Sequence, residues 1–339
     1  MPKRILIHHD GGMGDILLSL PLILLIKKET PFNHVSGRYD VVCLLRNIGY
    51  LDEISSSSGI LFSSLYTPFV EDLPIKFLSQ FDRTFVFTSK KDPLFLKNLN
   101  KIIPLLKIIT TIPPKGVRMH ISEFRSMQIN PDIQLPEIPH AIIPSQRLET
   151  AKNFLYRAGF DSKKLVIAIH PGSGSKRKRW QLERYFELIK ILKNKYDPIF
   201  ILISGPAEDD TFKDTIWEFL MNNSPGMLHV CNDELTMVAA YLSQSHIYIG
   251  NDSGVTHLAS ILRNNVIAIF GYTDPVLWKP LGRNVKVIRR EYECSPCSDE
   301  KSKTCNEQIC LSDISVDMVY KEVENLINDI RQNKPEITF

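Results

Sequence analysis

The sequence predicts an α/β protein with two parallel, doubly wound sheets, one in each half of the chain. Short β-branched runs alternate with segments whose apolar residues recur at helical spacing, which is typical of parallel sheets with right-handed crossovers. The length of 339 residues is comfortable for two domains. Residues 131–144 contain four prolines, which exclude regular helix or a central strand, so we expect a linker there.

Composition excludes several classes of protein. Hydrophobic residues make up 43% of the chain, enough for two cores, and the net charge of +3 is too small to indicate a nucleic-acid partner. The longest apolar run, residues 16–26, is too short to span a bilayer and is interrupted by Ser19 and Pro21. The start of the chain has no signal-peptide pattern, so we expect a cytoplasmic protein.

The chain opens with the beginning of a nucleotide-type unit. Residues 4–9 read as a strand, residues 10–15 as a glycine-rich turn and residues 16–28 as a helix, although the full dinucleotide fingerprint is absent. Asp15 stands where the helix begins. It is either a helix-start carboxylate stabilised by the dipole or a general base at the edge of the sheet, and this segment alone does not decide between them.

The rest of the first half is less regular. Residues 39–45 predict a second strand and residues 84–88 another, while residues 51–74 give no clear pattern. Residues 83–130 carry nine lysines or arginines against Asp92 and Glu123. A solvated face explains this excess best. The alternatives are a surface that attracts an anionic acceptor or an anionic membrane.

The second half alternates strands and helices at short intervals. The predicted strands are residues 165–170, 198–204, 227–230, 246–249 and 266–270. The predicted helices cover residues 145–158, 182–192, 211–221, the segments that start at 234 and 254, and residues 314–330.

A polar cluster follows the strand at residues 246–249, where a helix begins. This edge of a parallel sheet is where ligands bind, and the first N–H groups of a helix favour a phosphate. Capping is the simpler explanation and accounts for one residue. It does not account for the whole group, which consists of Asp252, Ser253, Gly254 and His257.

Three loops, which we call the edge loops, are predicted at this edge: residues 172–180, 204–210 and 250–257. The first brings Ser173 and a run of cations that includes Lys178, and the third brings N–H groups, so together they suit a pyrophosphate. The second brings carboxylates that can reach a ribose diol. A solvated basic loop or a nucleic-acid patch is the alternative explanation of the cations. We find no acidic pair typical of a catalytic metal site.

Taken together, the motifs resemble glycosyltransferase family 9, the ADP-heptose heptosyltransferase family. They are Gly-x-Gly-Asp-x-Leu-Leu-x-x-Pro at 12–21, His-Pro-Gly-Ser at 170–173, Lys-x-Trp at 178–180, Asp-Ser-Gly-x-x-His-Leu-Ala at 252–259, and Phe-Gly-x-Thr-Asp-Pro with a following Trp at 270–278. They occur in the family's order.

The resemblance implies a GT-B fold, in which two Rossmann-like domains face each other across a cleft, and an inverting reaction without a catalytic metal. It implies an acceptor-side domain at 1–140, a nucleotide-sugar-binding domain at 145–325 with a four-cysteine insertion at 294–310, and a tail at 326–339. The expected donor is a nucleoside-diphosphate sugar, foremost ADP-heptose. The expected acceptor is a hydroxyl of a lipopolysaccharide core, another glycan or a protein. Peripheral contact with the cytoplasmic face of the inner membrane would accompany a glycolipid acceptor.

The resemblance also implies roles for single residues. Asp15 is expected to be the general base, and Lys178 the cation on the donor phosphates. Glu208 or Asp209 is expected to contact the ribose. The remaining expected donor-binding residues are Gly14, Ser173, Asp252, Ser253, Gly254 and His257. Many members of the family have threonine where this chain has Ser253, which preserves the hydroxyl.

Four cysteines lie close together near the end of the second half: Cys294, Cys297, Cys305 and Cys310. In a protein expected to be cytoplasmic, this spacing fits a tetrahedral zinc or iron site better than disulfides. Four protein ligands leave no open position, so such an ion would be structural. The alternative is that the cysteines are free or loosely paired.

Two other functions are compatible with parts of the sequence. A nucleotide-sugar epimerase of the same fold would convert its donor without an acceptor. A metal-stapled nucleic-acid-binding protein would use the basic loop, and its binding would depend steeply on salt.

Overall fold

The computed structural model describes residues 4–161, 163–297 and 304–333. The chain divides into two compact units, Met1–Ile142 and Ile143–Phe339. Residues 131–144 contain no helix or strand, as their prolines predict. No helix of the described ranges is long and apolar enough to cross a membrane.

The first unit contains a five-stranded parallel sheet in the order β3-β2-β1-β4-β5. Its elements are β1 Ile5–His9, α1 Met13–Lys27, β2 Asn33–Gly37, α2 Tyr39–Asn47, β3 Glu53–Ser56, α3 Ile60–Ser63, α4 Asp72–Leu78, β4 Arg83–Thr88, α5 Pro93–Ile102, β5 Leu105–Thr110 and α6 Ile121–Met127.

The predicted strand at residues 39–45 is wrong, because this segment is helix α2. Its buried residues Val41, Val42, Leu44 and Leu45 recur at helical spacing and cover one face. The true second strand, β2, escaped prediction because it contains polar residues. These are buried with partners: His34 Nε2 is 2.9 Å from Ser55 Oγ, and His8 Nδ1 is 2.8 Å from Ser36 Oγ.

The second unit contains a six-stranded parallel sheet in the order β11-β10-β9-β6-β7-β8. Its elements are α7 Ser145–Arg157, β6 Val166–His170, α8 Leu182–Tyr196, β7 Ile199–Ser204, α9 Asp210–Asn223, β8 Met227–Cys231, α10 Leu235–Ser243, β9 Ile247–Asn251, α11 Gly254–Ile261, β10 Asn265–Ile269, α12 Pro275–Trp278, β11 Val285–Ile288, α13 Ile309–Ser312 and α14 Val316–Asn333.

The strands predicted for this half are confirmed to within a residue or two. The predicted insertion at 294–310 includes residues 298–303, and the predicted tail at 326–339 includes residues 334–339, both of which lie outside the described residues. The described part of the tail continues α14, whose apolar side packs on α8 and β10.

The strand order places the three edge loops together. Strand β6 lies between β9 and β7, and all three are parallel, so their carboxyl ends share one edge. Below that edge, Asn251 Oδ1 accepts hydrogen bonds from the Trp180 backbone N–H at 2.9 Å and from the Tyr185 hydroxyl at 3.0 Å. These buried contacts anchor the basic loop to the end of β9.

Candidate active site

The three edge loops are joined through Ser173. Its backbone N–H donates to Glu208 Oε1 at 3.1 Å, and its hydroxyl donates to the carbonyl of Asp252 at 3.1 Å. One residue of the first loop thus bonds to both of the others, and the loops form a single polar surface at the edge of the second sheet.

Lys178 is held on this surface by Asp252. Its Nζ lies 2.7 Å from Asp252 Oδ2, which also accepts a hydrogen bond from the Thr273 hydroxyl at 2.9 Å. The carboxylate is 6% exposed and the lysine side chain 28% exposed. On the other side of the carboxylate, His257 Nε2 is 4.0 Å from Asp252 Oδ1. Asp252 therefore fixes a cation that is still open to solvent.

Ser253 caps α11, so the simpler explanation of this residue is correct. Its backbone is extended, and its hydroxyl accepts the Thr256 N–H at 3.4 Å. The hydroxyl also lies 3.2 Å from His170 Nδ1. Burial, followed by the charge of Arg179, lowers the pKa of His170 to about 4. The ring is neutral at pH 7. Gly254 is the first residue of the helix.

The two acids of the second loop have different environments. Glu208, with its side chain 1% exposed, accepts backbone N–H groups from Ser173 and Gly205 and lies 3.4 Å from Arg179. Asp209 caps α9 and pairs with Lys176 at 2.8 Å. The hydrogen bond from Lys176 and then that from the Phe212 amide lower the pKa of Asp209. Glu208 ties loops together, and Asp209 faces solvent.

The cations of the first loop have separate partners. Arg179 donates to the carbonyls of Ser173 and Ala207 and is largely buried, so it holds the loop in shape. Lys176 reaches the solvated Asp209. Lys178 combines partial exposure with a place beside the α11 N-terminus, through Asp252.

In the first unit, Asp15 lies in the first turn of α1. The helix begins at Met13, three residues earlier than predicted, so Gly14 and Asp15 are helical. Asp15 Oδ1 accepts a hydrogen bond from Arg125 Nη2 at 2.9 Å, and the aspartate side chain is 32% exposed. A carboxylate at this position is favoured by the helix dipole.

The prediction that the cations of residues 83–130 lie on a solvated face is wrong for Arg125. Its side chain is 0% exposed. The buried residues of α6 are Ile121, Ser122, Arg125 and Ser126. Their helical spacing is the signal that could have placed the arginine inward.

A cavity of about 410 Å³ opens at the carboxyl ends of β1 and β4 in the first unit. Asp10 accepts a hydrogen bond from the Thr88 hydroxyl within it, and burial, then the charge of Asp15, raises the pKa of Asp10. The full lining is His8, Asp10, Tyr66, Val86, Thr88, Lys90, Lys91, Asp92, Pro93 and Phe95. It combines aromatic faces, carboxylates and cations.

The structure brings the four clustered cysteines into one neighbourhood. Burial raises the pKa of the Cys310 thiol, and the charges of Cys297, Cys305 and Cys294 raise it further. Within residues 4–161, 163–297 and 304–333, however, no group of three or more histidine, cysteine or acidic side chains is arranged to hold a metal ion. This geometry therefore does not support the predicted ligand set.

The two units, each built on a parallel sheet flanked by helices, have the GT-B fold of the glycosyltransferase structures with which the chain aligns. The model of glycosyltransferase family 9 (heptosyltransferase) matches residues 114–307. This chain belongs to glycosyltransferase family 9 and is a glycosyltransferase.

A relative and two solved structures are similar to this chain over almost its whole length, and the solved structures show the fold. A lipooligosaccharide heptosyltransferase 2 of Campylobacter jejuni subsp. jejuni serotype O:6 is 25% identical, covering 95% of this chain and 99% of the relative. The family 9 glycosyltransferase of Veillonella parvula aligns with a TM-score of 0.78 at 18% identity, covering 96% and 98% of the two chains. The ADP-heptose lipopolysaccharide heptosyltransferase II of E. coli aligns with a TM-score of 0.73 at 17% identity, covering 96% and 99%.

Proposed function

We propose that this chain is an inverting heptosyltransferase that moves a heptose from ADP-heptose to a hydroxyl of a lipopolysaccharide-type core. The observation that carries the proposal is the convergence of the three edge loops, which brings Lys178, Asp252 and the α11 N-terminus together. That combination suits a diphosphate leaving group, and the names of the relatives specify ADP-heptose and lipooligosaccharide.

In this proposal the second unit stabilises the departing ADP. As the bond from the sugar carbon to the diphosphate oxygen breaks, negative charge grows on that oxygen. Lys178 and the first N–H groups of α11, beginning at Gly254, oppose this charge without a metal ion. The hydroxyl of Ser253 and the loop at Ser173 complete the surface. Because Glu208 is buried, Asp209 is the better placed acid for the ribose.

Asp15 supplies the base. It takes the proton of the acceptor hydroxyl as that oxygen attacks the sugar carbon from the face opposite ADP, which inverts the configuration. Two observations support the role: the carboxylate is partly exposed at the carboxyl edge of the first sheet, and its other oxygen is paired with Arg125. A general base of this kind typically contributes about 10²–10⁴-fold to the rate.

The 410 Å³ cavity of the first unit is the proposed acceptor site. Tyr66 stacks on Phe95 with ring centroids 4.7 Å apart, which provides an aromatic face for a sugar ring. Asp10 can accept a hydrogen bond from a sugar hydroxyl. Lys90 and Lys91 favour an acceptor that carries a phosphate or carboxylate group. The charge of Asp15 acts on Asp10, so the base lies near this cavity.

A glycolipid acceptor would place the protein at the cytoplasmic face of the inner membrane. The exposed cations of the first unit support peripheral contact with anionic lipid; they include Lys90, Lys91, Lys97, Lys101, Lys107, Lys115 and Arg118. Another glycan or a protein hydroxyl is the alternative acceptor, and the experiment below separates them.

The test is release of the nucleoside diphosphate by the purified protein in EDTA, with ADP-heptose, UDP-sugars and GDP-sugars as donors, together with chromatography of the remaining nucleotide sugar. The acceptors are heptose-deficient lipopolysaccharide core, its delipidated oligosaccharide, and a serine- and threonine-containing peptide. We expect release only with ADP-heptose together with a core acceptor. Conversion of the donor without an acceptor would identify an epimerase, and transfer to the peptide alone would contradict the core acceptor.

The structural zinc or iron ion predicted for the cysteine cluster stays a prediction, and the spacing of the four cysteines is the observation that supports it. Elemental analysis of the purified protein tests it. We expect about one equivalent of zinc or iron, lost in a Cys294→Ser/Cys297→Ser variant, with no loss of ADP binding. Less than about a tenth of an equivalent would exclude the ion.

A further inference from the structure

Arg125 is tied mainly to α1, the helix that carries the proposed base. Its Nη1 donates to the carbonyl of Asp15 and to the Ser19 hydroxyl, each at 2.7 Å, and its Nη2 donates to Asp15 Oδ1 at 2.9 Å. Its Nε donates to the carbonyl of Thr111 at 3.1 Å. The guanidinium therefore holds both the backbone and one carboxylate oxygen of Asp15.

This arrangement is unusual if its only purpose is stability. Burying an arginine carries a desolvation cost that an ion pair with a partly exposed aspartate does not clearly offset. Burial lowers the pKa of Arg125 to about 10, against the opposing charge of Asp15 and a smaller effect of Asp10. At pH 7 the side chain is still a cation, so a full positive charge is maintained directly behind the carboxylate.

Among the groups near Asp15, Asp10 acts in the direction opposite to Arg125. Asp10 is a carboxylate on the loop after β1, and its interaction with Asp15 is repulsive. Burial, then the charges of Arg125 and His8, keep the pKa of His9 well below its ordinary value, so His9 is neutral. Lys90 acts on Asp10. Without Arg125, the two neighbouring carboxylates would repel each other with no buried cation beside them.

We propose that Arg125 is a positioning residue for the transfer reaction. It fixes the carboxylate of Asp15 through Oδ1, places a buried positive charge beside it, and leaves Oδ2 to receive the acceptor proton. The inference rests on the proposed role of Asp15 as the base. In this inference Arg125 contacts neither donor nor acceptor. Its replacement should therefore change the turnover number and leave the donor affinity unchanged.

The test compares Arg125→Met, Arg125→Gln and Arg125→Lys with the wild type, using kcat, KM for ADP-heptose, ADP affinity and the pH profile of kcat/KM between pH 5 and 9. We expect Arg125→Met and Arg125→Gln to lower kcat about 10²-fold, with ADP affinity unchanged within about two-fold. The acid limb of the profile should move to higher pH in both. Arg125→Lys should restore the position of the acid limb while recovering only part of kcat, because a lysine cannot make the same set of hydrogen bonds.

Ser122→Ala is the matched control. Ser122 lies on the same face of α6, and its hydroxyl donates to the carbonyl of Leu18 in α1 without touching Asp15. This variant should lower the melting temperature and leave the acid limb in place. Should Arg125→Met fail to fold, the Gln and Lys variants carry the test.

The possible failures are distinguishable. If Asp15→Asn turns over like the wild type, the proposed base is wrong and the inference falls with it. If Asp15→Asn is inactive while the folded Arg125 variants keep wild-type kcat and an unshifted acid limb, only the role of Arg125 is overturned.

Discussion

At the scale of residues, the site depends on charges held by buried partners. Asp252 is almost fully buried and fixes Lys178, and Arg125 is fully buried and fixes Asp15. In each pair the buried member sets the position of the more exposed one. A charged group held in this way has a fixed orientation toward a ligand, whereas an unpaired surface side chain has many rotamers.

Lys178 should therefore matter more than a lysine outside the edge loops. We expect Lys178→Gln to weaken ADP binding about 10- to 100-fold, because a charge-assisted hydrogen bond contributes about 1.5–3 kcal/mol. Lys164→Gln is the matched control, since Lys164 pairs with the exposed Asp197 outside the edge loops, and it should change the affinity less than about two-fold. Calorimetric titration with ADP measures both. Equal weakening by the two substitutions would contradict the assignment.

His170 predicts a pH dependence of stability. Its ordinary pKa is 6.5, and burial lowers the folded pKa to about 4, so the unfolded chain takes up the proton first as the pH falls. The stability contribution is complete above pH 6.5 and is lost as the pH falls to about 4, at a cost of about 3 kcal/mol. Urea denaturation at several pH values should show a shallower decline for His170→Asn than for the wild type. Parallel curves would rule out this linkage.

At the scale of elements, most of the second half could be predicted and much of the first could not. The strands of the second sheet are continuous apolar runs, such as β6 and β7, which sequence patterns identify well. In the first sheet β2 is polar, and α2 has β-branched residues that suggested a strand. Local propensity was overridden by tertiary hydrogen bonds in the first case and by helical packing in the second.

The loop positions could be predicted, whereas the partners of their side chains could not. Motifs placed Ser173, Lys178 and Asp252 on loops after parallel strands, and the strand order brings those loops together. The burial of Glu208 depends on amides from two different loops, and that of Arg125 on contacts to α1, which lies more than 100 residues earlier in the chain. Neither set of partners can be inferred from neighbouring residues in the sequence.

Close packing at the carboxyl end of β9 gives an element-scale prediction. A Cβ at Gly250 would lie 2.5 Å from the Tyr248 hydroxyl and 3.0 Å from the carbonyl of His170, so Gly250→Ala should destabilise the protein by about 1–3 kcal/mol. Gly174→Ala is the control, because a Cβ there meets nothing within 4 Å. Chemical denaturation measures the free energy of unfolding of both variants. A Gly250→Ala variant as stable as the control would show that the strand end is not tightly packed.

At the scale of the whole molecule, our proposal divides the reaction between the two units. In the proposed reaction the second unit binds the donor diphosphate, while the first unit supplies the base and the acceptor site. Membership of glycosyltransferase family 9 could be predicted from the sequence because its motifs are spread over both halves in a fixed order. The acceptor could not, because the cavity that we assign to it draws residues from β1, β4 and the segment around Tyr66.

This division of tasks is tested most directly by measuring ADP-heptose binding and heptose transfer in parallel for Asp15→Asn and Lys178→Gln. We predict that Asp15→Asn binds the donor like the wild type and loses transfer by about 10²-fold or more, whereas Lys178→Gln loses donor affinity. Transfer by Asp15→Asn at the wild-type rate would contradict this division of tasks. So would a loss of donor binding in Asp15→Asn with no loss in Lys178→Gln.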